Sequence, residues 1–213
     1  MKFKSLNPKF ELDMITNGDF ECIVGIDEVG RGSWAGPVAV GAYVFTLDCK
    51  QCRGINDSKL LSLGKRESAY KRLSQHRYFV KYGEIEEINQ IGIGKTIERL
   101  VADLVREVNL MHSKSFFVID GQFAKSFGKN TMKAIQADST YYSVAAASIM
   151  AKVQRDRLMK ELHHDYPVYG FNTNVGYPTK KHIKALNEHG PSEVHRKSFE
   201  PIGKLFSELR LGI

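Results

Sequence analysis

The chain has 213 residues, of which 42% are hydrophobic and 26% are charged, a composition typical of a soluble globular protein. This length is enough to bury a substantial core. No apolar run approaches the roughly 18 residues needed to cross a bilayer, so we expect no membrane span. The N-terminus carries charge without a following apolar stretch, so no signal peptide is predicted and a cytoplasmic location is expected.

The charge balance favours a polyanionic partner. Lys and Arg number 31 against 24 Asp and Glu, which gives a net charge of +7. After residue 150 the chain holds 11 basic and 7 acidic residues, which suggests a basic face in the C-terminal part. An ordinary solvated surface explains that excess equally well.

The cysteines exclude a disulfide framework. Only Cys22, Cys49 and Cys52 are present, too few for a set of structural bridges. Cys49 and Cys52 form a C-x-x-C pair, but no second pair of ligands at zinc-binding spacing accompanies them. We therefore expect free thiols, with zinc binding or redox function as the open alternative.

Apolar patterns predict alternating strands and helices. Runs at 22–27 and 38–45 are separated by a short Gly-rich turn, which favours antiparallel neighbouring strands. A helix at 65–76, with Ser62 as its N-cap, and a third strand at 78–85 follow. A polar loop at 56–59 precedes the helix.

The second half of the chain predicts three more helices and one strand. Apolar residues repeat at helical spacing from Ile97 to Val108, and a continuous apolar run at 116–120 predicts a strand covered on both faces. A helix rich in small residues is predicted at 144–163, ended by Pro167, and another at 180–188. The order of elements predicts an α/β fold with a mixed sheet flanked by helices.

Two of the apolar runs end in carboxylates. Asp27 and Glu28 end the first strand, and Asp120 ends the run at 116–120. If these strands are neighbours, their acids converge at one edge of the sheet, and Asp138 would join them. Such a group needs positive compensation, and oxygen ligands without His or Cys suit Mg²⁺ or Mn²⁺. Acids that only cap loops remain the alternative.

A glycine-rich turn follows the first acidic pair. Gly30, Arg31 and Gly32 allow close backbone approach to a phosphate or sugar and supply a cationic fork. The turn misses the dinucleotide-binding spacing by one residue and leads into a strand, so a nicotinamide or flavin site is not expected. Residues 94–96 resemble the end of a P-loop, but Asn89 stands where that motif requires glycine.

In order and spacing, seven sequence blocks resemble the ribonuclease HII family, from about residue 21 to 201. They are GIDEVGRGSWAGP (25–37), NDSK (56–59), VIDG (118–121), ADS (137–139), AAASIMAKVQRDR (145–157), GYPTK (176–180) and HRKSF (195–199). The arginine between two glycines favours this type over the sister type 3 enzymes. The resemblance implies a single ribonuclease H-like catalytic domain over 1–213, with a mixed five-stranded sheet flanked by helices and a helical C-terminal segment at about 165–213.

The resemblance also implies an activity. Members hydrolyse the RNA strand of RNA–DNA hybrids and cut 5′ of single ribonucleotides embedded in duplex DNA, leaving 3′-hydroxyl and 5′-phosphate ends. Two divalent ions, Mg²⁺ or Mn²⁺, would activate water and stabilise the leaving oxygen. We expect a monomer without an evident clamp-binding tail.

The resemblance assigns roles to individual residues. It implies that Asp27, Glu28, Asp120 and Asp138 are the catalytic, metal-binding carboxylates. The substrate-binding residues implied are Gly30, Arg31, Gly32, Lys59 and Tyr177, and the weaker substrate candidates are Ser148, Arg155, Lys180 and His195. Thr140 and Val175 stand where many members have lysine, which leaves substrate contacts at those positions open.

Two other functions compete with this one. A catalytically silent hybrid-binding module would keep the fold and the basic face, but it needs no acids facing phosphates. A junction resolvase or integrase-like nuclease of the same fold has no need to sense a 2′-hydroxyl, so the Gly30 to Gly32 turn and Tyr177 disfavour it.

Overall fold

The computed structural model describes residues 5–18, 20–49 and 54–211. The strands are β1 (Cys22–Val29), β2 (Val38–Phe45), β3 (Tyr78–Gly83), β4 (Ser115–Asp120) and β5 (Thr131–Ala134). The helices are α1 (Lys9–Thr16), α2 (Leu63–Leu73), α3 (Ile85–Ile91), α4 (Ile93–Met111), α5 (Tyr142–Asp165), α6 (Phe171–Asn174), α7 (Lys180–His189) and α8 (Glu200–Leu211). Among the described residues, no helix is both long and apolar enough to span a membrane.

The strands form one sheet in the order β3-β2-β1-β4-β5. The apolar runs at 22–27 and 116–120 are confirmed as the neighbours β1 and β4, which pair in parallel with Ile26 opposite Ile119. β2 lies on the other side of β1, as predicted. The mixed five-stranded sheet with helices around it is confirmed.

Two strands differ from the sequence prediction. β3 ends at Gly83 rather than at residue 85, because Glu84 is the N-cap of α3, which begins at Ile85. β5 has only four residues, of which three are half-buried and one is exposed, and no apolar run marked it in the sequence. It pairs in parallel with β4.

The predicted helices are present with shifted ends. α2 begins after Ser62, as predicted, although the Ser62 side chain makes no capping hydrogen bond, and it ends at Leu73. The helical repeat that starts at Ile97 lies on α4, and its apolar residues are buried. The small-residue helix is longer than predicted at both ends, and α6, α7 and α8 confirm a helical C-terminal portion.

Helix α5 packs very closely on the sheet. A Cβ atom on Gly25 of β1 would lie 2.1 Å from the Ser143 carbonyl carbon, so only glycine fits there. At the N-terminus of α5, the buried Glu11 carboxylate accepts hydrogen bonds from the Ser143 backbone N–H and hydroxyl, both at 2.8 Å. These contacts fix α5 against β1, the strand that carries Asp27.

The described residues divide into two compact units. The sheet unit comprises the described residues up to Val29 with those of Val40–Lys81 and Glu98–Val153, and its core includes Ile23, Phe45 and Val118. The helical unit comprises Gly30–Ala39, Tyr82–Ile97 and the described residues from Gln154 onward. Its core includes Met159, Phe171 and Leu186. A single catalytic domain over 1–213 stays a prediction.

Candidate active site

The sheet unit brings three of the predicted acids together. Because β1 and β4 are parallel and Ile26 pairs with Ile119, the next residues, Asp27 and Asp120, stand at the same end of neighbouring strands. Asp138 lies in a short 3₁₀ turn whose Ala137 N–H donates to the Asp120 carboxylate at 3.0 Å. One carboxylate oxygen from each aspartate lies within 4.8 Å of the others.

Glu28, the fourth predicted acid, is not part of this oxygen group among the described residues. It follows Asp27 directly on β1, and successive side chains of a strand point to opposite faces of the sheet. Its backbone N–H donates to Asp27 Oδ1 at 2.8 Å. Glu28 therefore interacts with the group through its backbone N–H and through the charge that it places near Asp27.

Burial and mutual repulsion disfavour the fully ionised form of the three aspartates. Burial raises the pKa of Asp27 well above its ordinary value, a hydrogen bond from Ser148 opposes this, and the charges of Glu28, Asp120 and Asp138 raise it further. Burial also raises the pKa of Asp138, partly offset by Lys59. Buried carboxylates that repel one another favour a bound proton or cation.

Lys59 is the cation nearest to Asp138. Its Nζ lies 3.4 Å from Asp138 Oδ2, and its side chain is 74% exposed. The turn that carries it is held by the Asp57 side chain, which accepts from the Lys59 N–H at 2.8 Å. Partial burial alone would lower the pKa of Lys59, but Asp138, Asp57 and Asp27 raise it, so the amine is a stable positive charge beside the acids.

Ser148 supports Asp27. It was predicted as a weaker substrate contact, but only 1% of its surface is exposed. Its hydroxyl lies 2.9 Å from the buried Ser58 hydroxyl and hydrogen-bonds the Asp27 carboxylate. In this structure the hydroxyl orients a carboxylate, and its contact with substrate stays a prediction. Ser58, which the sequence did not single out, is part of the same support.

In the helical unit, the predicted sensing turn is built on a buried arginine. Gly30 has φ +91°, and a Cβ there would lie 2.2 Å from Arg155 Nε. Arg155 donates to the Pro37 carbonyl at 2.8 Å, the Ser33 hydroxyl at 3.0 Å and the Val175 carbonyl at 3.0 Å. It is fully buried and holds the backbone of the turn, and its role as a weaker substrate candidate stays a prediction.

A second buried arginine holds the same turn. Arg196 donates to the Gly36 carbonyl at 2.9 Å and to the Arg31 carbonyl at 3.0 Å, and none of its surface is exposed. Arg31 itself is exposed. The backbone of the turn is therefore fixed from inside while the Arg31 side chain faces solvent.

Tyr177 lies beside this turn in the helical unit. A Cβ on Gly32 would stand 4.0 Å from the Tyr177 ring, and the Arg155 guanidinium carbon lies 5.9 Å from the ring centre. The preceding Val175 has φ +44°, which is rare for a β-branched residue. Residues predicted together from the sequence, Gly32 and Tyr177, are thus neighbours.

The remaining predicted positions differ in exposure. Lys180, the first residue of α7, and Thr140 are exposed. His195 is fully buried, and its ring bonds Ser192 and His182. No part of the His195 ring reaches the surface in this structure, and its role as a weaker substrate candidate stays a prediction.

Sequence reasoning did not single out His182. It is fully buried on α7 with Ala185 and Leu186, which follow it at helical spacing on the same face. That spacing was the available signal, since a histidine in an apolar stripe is buried with it. Of the C-x-x-C pair, Cys49 is a buried free thiol, and Cys52 lies outside the described residues.

The chain matches the family described as Ribonuclease HII over residues 24–202. The Ribonuclease HII of Paraburkholderia xenovorans is 37% identical, covering 94% of this chain and 79% of the relative. The Ribonuclease HII of a Wolbachia of Brugia malayi is 40% identical, covering 92% and 94%.

Solved structures carry the same fold. The ribonuclease H2 of Pyrococcus horikoshii superposes with a TM-score of 0.68 at 25% identity, covering 89% of this chain and 99% of that one. Bst-RNase HIII in complex with Mn²⁺ superposes with a TM-score of 0.62 at 17% identity, covering 90% and 71%, which shows the fold alone. These likenesses confirm the predicted ribonuclease H-like fold. With the family matched over residues 24–202, this chain belongs to the ribonuclease HII family of endonucleases, which degrade the RNA of RNA–DNA hybrids.

Proposed function

We propose that this enzyme, besides cutting the RNA strand of hybrids, cleaves on the 5′ side of a single ribonucleotide embedded in duplex DNA. The products would carry 3′-hydroxyl and 5′-phosphate ends. The observation that carries the proposal is the group of Asp27, Asp120 and Asp138, in which Asp27 and Asp138 are buried and Asp120 is half-buried. A charged group of this kind lowers the stability of the fold, so its presence indicates that function requires it.

Divalent cations fit this group. Its donors are hard carboxylate oxygens, the ligands typical of Mg²⁺ and Mn²⁺. Asp27, Asp120 and Asp138 would hold two ions, and the Glu28 carboxylate, which lies outside this oxygen group, would have to turn toward an ion to complete the ligand set. When bound, the ions would supply positive charge for activating water and stabilising the leaving oxygen in phosphodiester hydrolysis.

The protein's own bonds orient the acids for this task. The Glu28 N–H and the Ser148 hydroxyl hold the Asp27 carboxylate, and the Ala137 N–H holds Asp120 Oδ1. Fixed carboxylates lose little entropy when they bind an ion. Cations between the acids would replace Lys59 as the partner of Asp138, which frees that exposed amine for a substrate phosphate.

Selectivity for RNA is proposed to lie in the helical unit. Gly30, Arg31 and Gly32 would place backbone groups against the 2′-hydroxyl, which is the chemical difference between RNA and DNA. Tyr177 would pack its ring against the adjoining sugar. The close approach of Gly32 to that ring supports a joint role, and Lys180 is proposed as an exposed phosphate contact.

The proposal also covers the location, oligomeric state and substrates of the enzyme. We expect the enzyme to act as a cytoplasmic monomer on hybrids and ribonucleotide-containing duplexes. The buried free thiols Cys22 and Cys49 are consistent with a reducing compartment. A silent hybrid-binding module is disfavoured, because buried acids weaken rather than strengthen contact with phosphates.

The test uses an end-labelled DNA duplex that contains one ribonucleotide, incubated with Mg²⁺ or Mn²⁺ and sized on a gel. We expect one cut immediately 5′ of the ribonucleotide, abolished by EDTA. An all-DNA duplex is the matched control and should stay intact. Equal cutting of both duplexes would refute the assignment, and binding without any cleavage would favour the silent module.

A further inference from the structure

Two buried histidines form one hydrogen-bond chain in the helical unit. The Ser192 backbone N–H lies 3.0 Å from His195 Nδ1, and His195 Nε2 lies 3.1 Å from His182 Nε2. His182 Nδ1 lies 2.9 Å from the Tyr177 carbonyl oxygen. The chain therefore runs from a backbone donor to the backbone acceptor of Tyr177.

The two ends of this chain fix the protonation of both rings. A backbone N–H can only donate, so His195 Nδ1 is unprotonated and its proton sits on Nε2. A carbonyl can only accept, so His182 carries its proton on Nδ1. His195 Nε2–H then donates to the bare Nε2 of His182, and both rings are neutral. A second proton on either ring would set two donors face to face.

The surroundings agree with neutral rings. Neither histidine has exposed surface, and the rings of Tyr169 and Phe171 pack around them, with centroids 4.7 to 6.2 Å away. Burial lowers the pKa of His195 to about 3, helped by the neighbouring His182, and burial also lowers the pKa of His182. An aromatic enclosure disfavours the imidazolium form.

We propose that the His182–His195 pair is a positioning device for Tyr177, in which two neutral rings of fixed tautomer hold the Tyr177 carbonyl and so set the ring against the ribose. This proposal rests on the proposed role of Tyr177 in selecting the ribonucleotide. The same carbonyl also accepts from the Thr179 N–H at 2.8 Å, and the Tyr177 N–H donates to the Asn174 carbonyl at 2.9 Å. The His182 side chain reaches Tyr177 from the buried face of α7.

A matched pair of variants isolates the last bond of the chain. His182→Asn places an amide N–H near the position of Nδ1 and can still donate to the Tyr177 carbonyl. His182→Leu fills a similar volume and cannot. Both remove the acceptor for His195, so a difference between them reports the bond to Tyr177.

Single-turnover cleavage is measured on a duplex with one ribonucleotide and on a continuous hybrid, and affinity is measured separately in Ca²⁺. We expect His182→Leu to slow cleavage at the single ribonucleotide about five- to tenfold, the factor that one net hydrogen bond represents. Cleavage of the hybrid and affinity should change by less than about twofold. His182→Asn should stay near wild type, and His182→Leu should add nothing to Tyr177→Ala, since coupled residues are not additive.

The outcomes separate the two proposals. Equal losses in the Asn and Leu variants, or additive losses with Tyr177→Ala, would overturn the positioning role. A Tyr177→Ala variant with wild-type selectivity would refute the role of Tyr177 itself. A selective Tyr177→Ala beside an unaffected His182→Leu would refute only the role of the histidine pair.

The tautomers are tested without any variant or activity. Two-bond ¹⁵N correlation spectra of the histidine-labelled wild-type protein at pH 7 distinguish a protonated from a bare ring nitrogen. We expect His195 protonated at Nε2 and His182 at Nδ1, both neutral. Reversed tautomers, or a doubly protonated ring, would break the chain and overturn the proposal.

Discussion

Replacing His195 by glutamine should reduce the decrease in the free energy of unfolding that the protein shows in mild acid. The folded protein keeps this ring neutral, because burial beside His182 lowers the pKa of His195 to about 3. The unfolded chain binds a proton at the ordinary value of about 6.5. Between these values the unfolded state holds more protons, so stability is fully present above pH 6.5 and falls as the pH falls.

The size of the effect follows from the two pKa values. Between pH 7 and pH 5, protonation of one unfolded histidine lowers the free energy of unfolding by about 2 kcal/mol. The result depends little on the folded pKa, because about 3 lies well below this window. His182 is buried in the same way and contributes in the same direction in both proteins.

Urea unfolding of wild type and His195→Gln at pH 5, 6 and 7, in EDTA, measures the difference. The acids of the candidate metal site are the same in both proteins, so their contribution cancels in the comparison. We expect wild type to lose about 2 kcal/mol more than the variant between pH 7 and pH 5. Parallel curves for the two proteins would show that the His195 ring is not held neutral by burial.

Three further predictions concern the acids, the sensing tyrosine and the packing of α5. Asp27→Asn and Asp120→Asn should each remove nearly all cleavage while the melting temperature in EDTA stays equal or rises, because each relieves repulsion in the buried acidic group; wild-type rates would show that the site is misplaced. Tyr177→Ala should slow turnover at a single embedded ribonucleotide more than on a continuous hybrid, with a smaller loss of affinity in Ca²⁺, since most affinity comes from phosphate contacts; equal losses on both substrates would contradict it. Gly25→Ala should lower the free energy of unfolding in urea by roughly 3 kcal/mol, because its Cβ would overlap the backbone of α5. Gly64→Ala, where nothing lies within 4 Å, is the control and should not destabilise.

The acids could be predicted from the sequence because they end long apolar runs. Such runs fix a buried strand, and parallel pairing of β1 with β4 then fixes where Asp27 and Asp120 meet. β5 could not be located, because a strand of four residues, none of them fully buried, has no such run. The exclusion of Glu28 from the oxygen group was predictable in principle from the alternation of side chains along β1.

The buried arginines and histidines were harder to predict, because charged and titratable residues are usually expected to be exposed to solvent. Arg155 was named as a weaker substrate candidate, yet it shares a helix face with Ala151 and Met159, and all three are fully buried. The spacing of four residues carried that information. What the sequence alone does not contain is the set of carbonyl acceptors, such as that of Pro37, that makes burial of a guanidinium affordable.

The treatment of buried charge supports catalysis over mere binding. Where a charge serves structure, as at Arg155, the fold surrounds it with acceptors from Ser33, Pro37 and Val175. Asp27 is also buried, but its neighbours include further acids, and its pKa is raised rather than lowered. The fold therefore gives Arg155 its hydrogen-bond acceptors but leaves Asp27 beside other negative charges. The repulsion at Asp27 is the kind that a bound cation would relieve. Added Mg²⁺ or Mn²⁺ should therefore raise the melting temperature of wild type and leave that of Asp27→Asn nearly unchanged, and equal shifts in both would mean that the ions bind elsewhere.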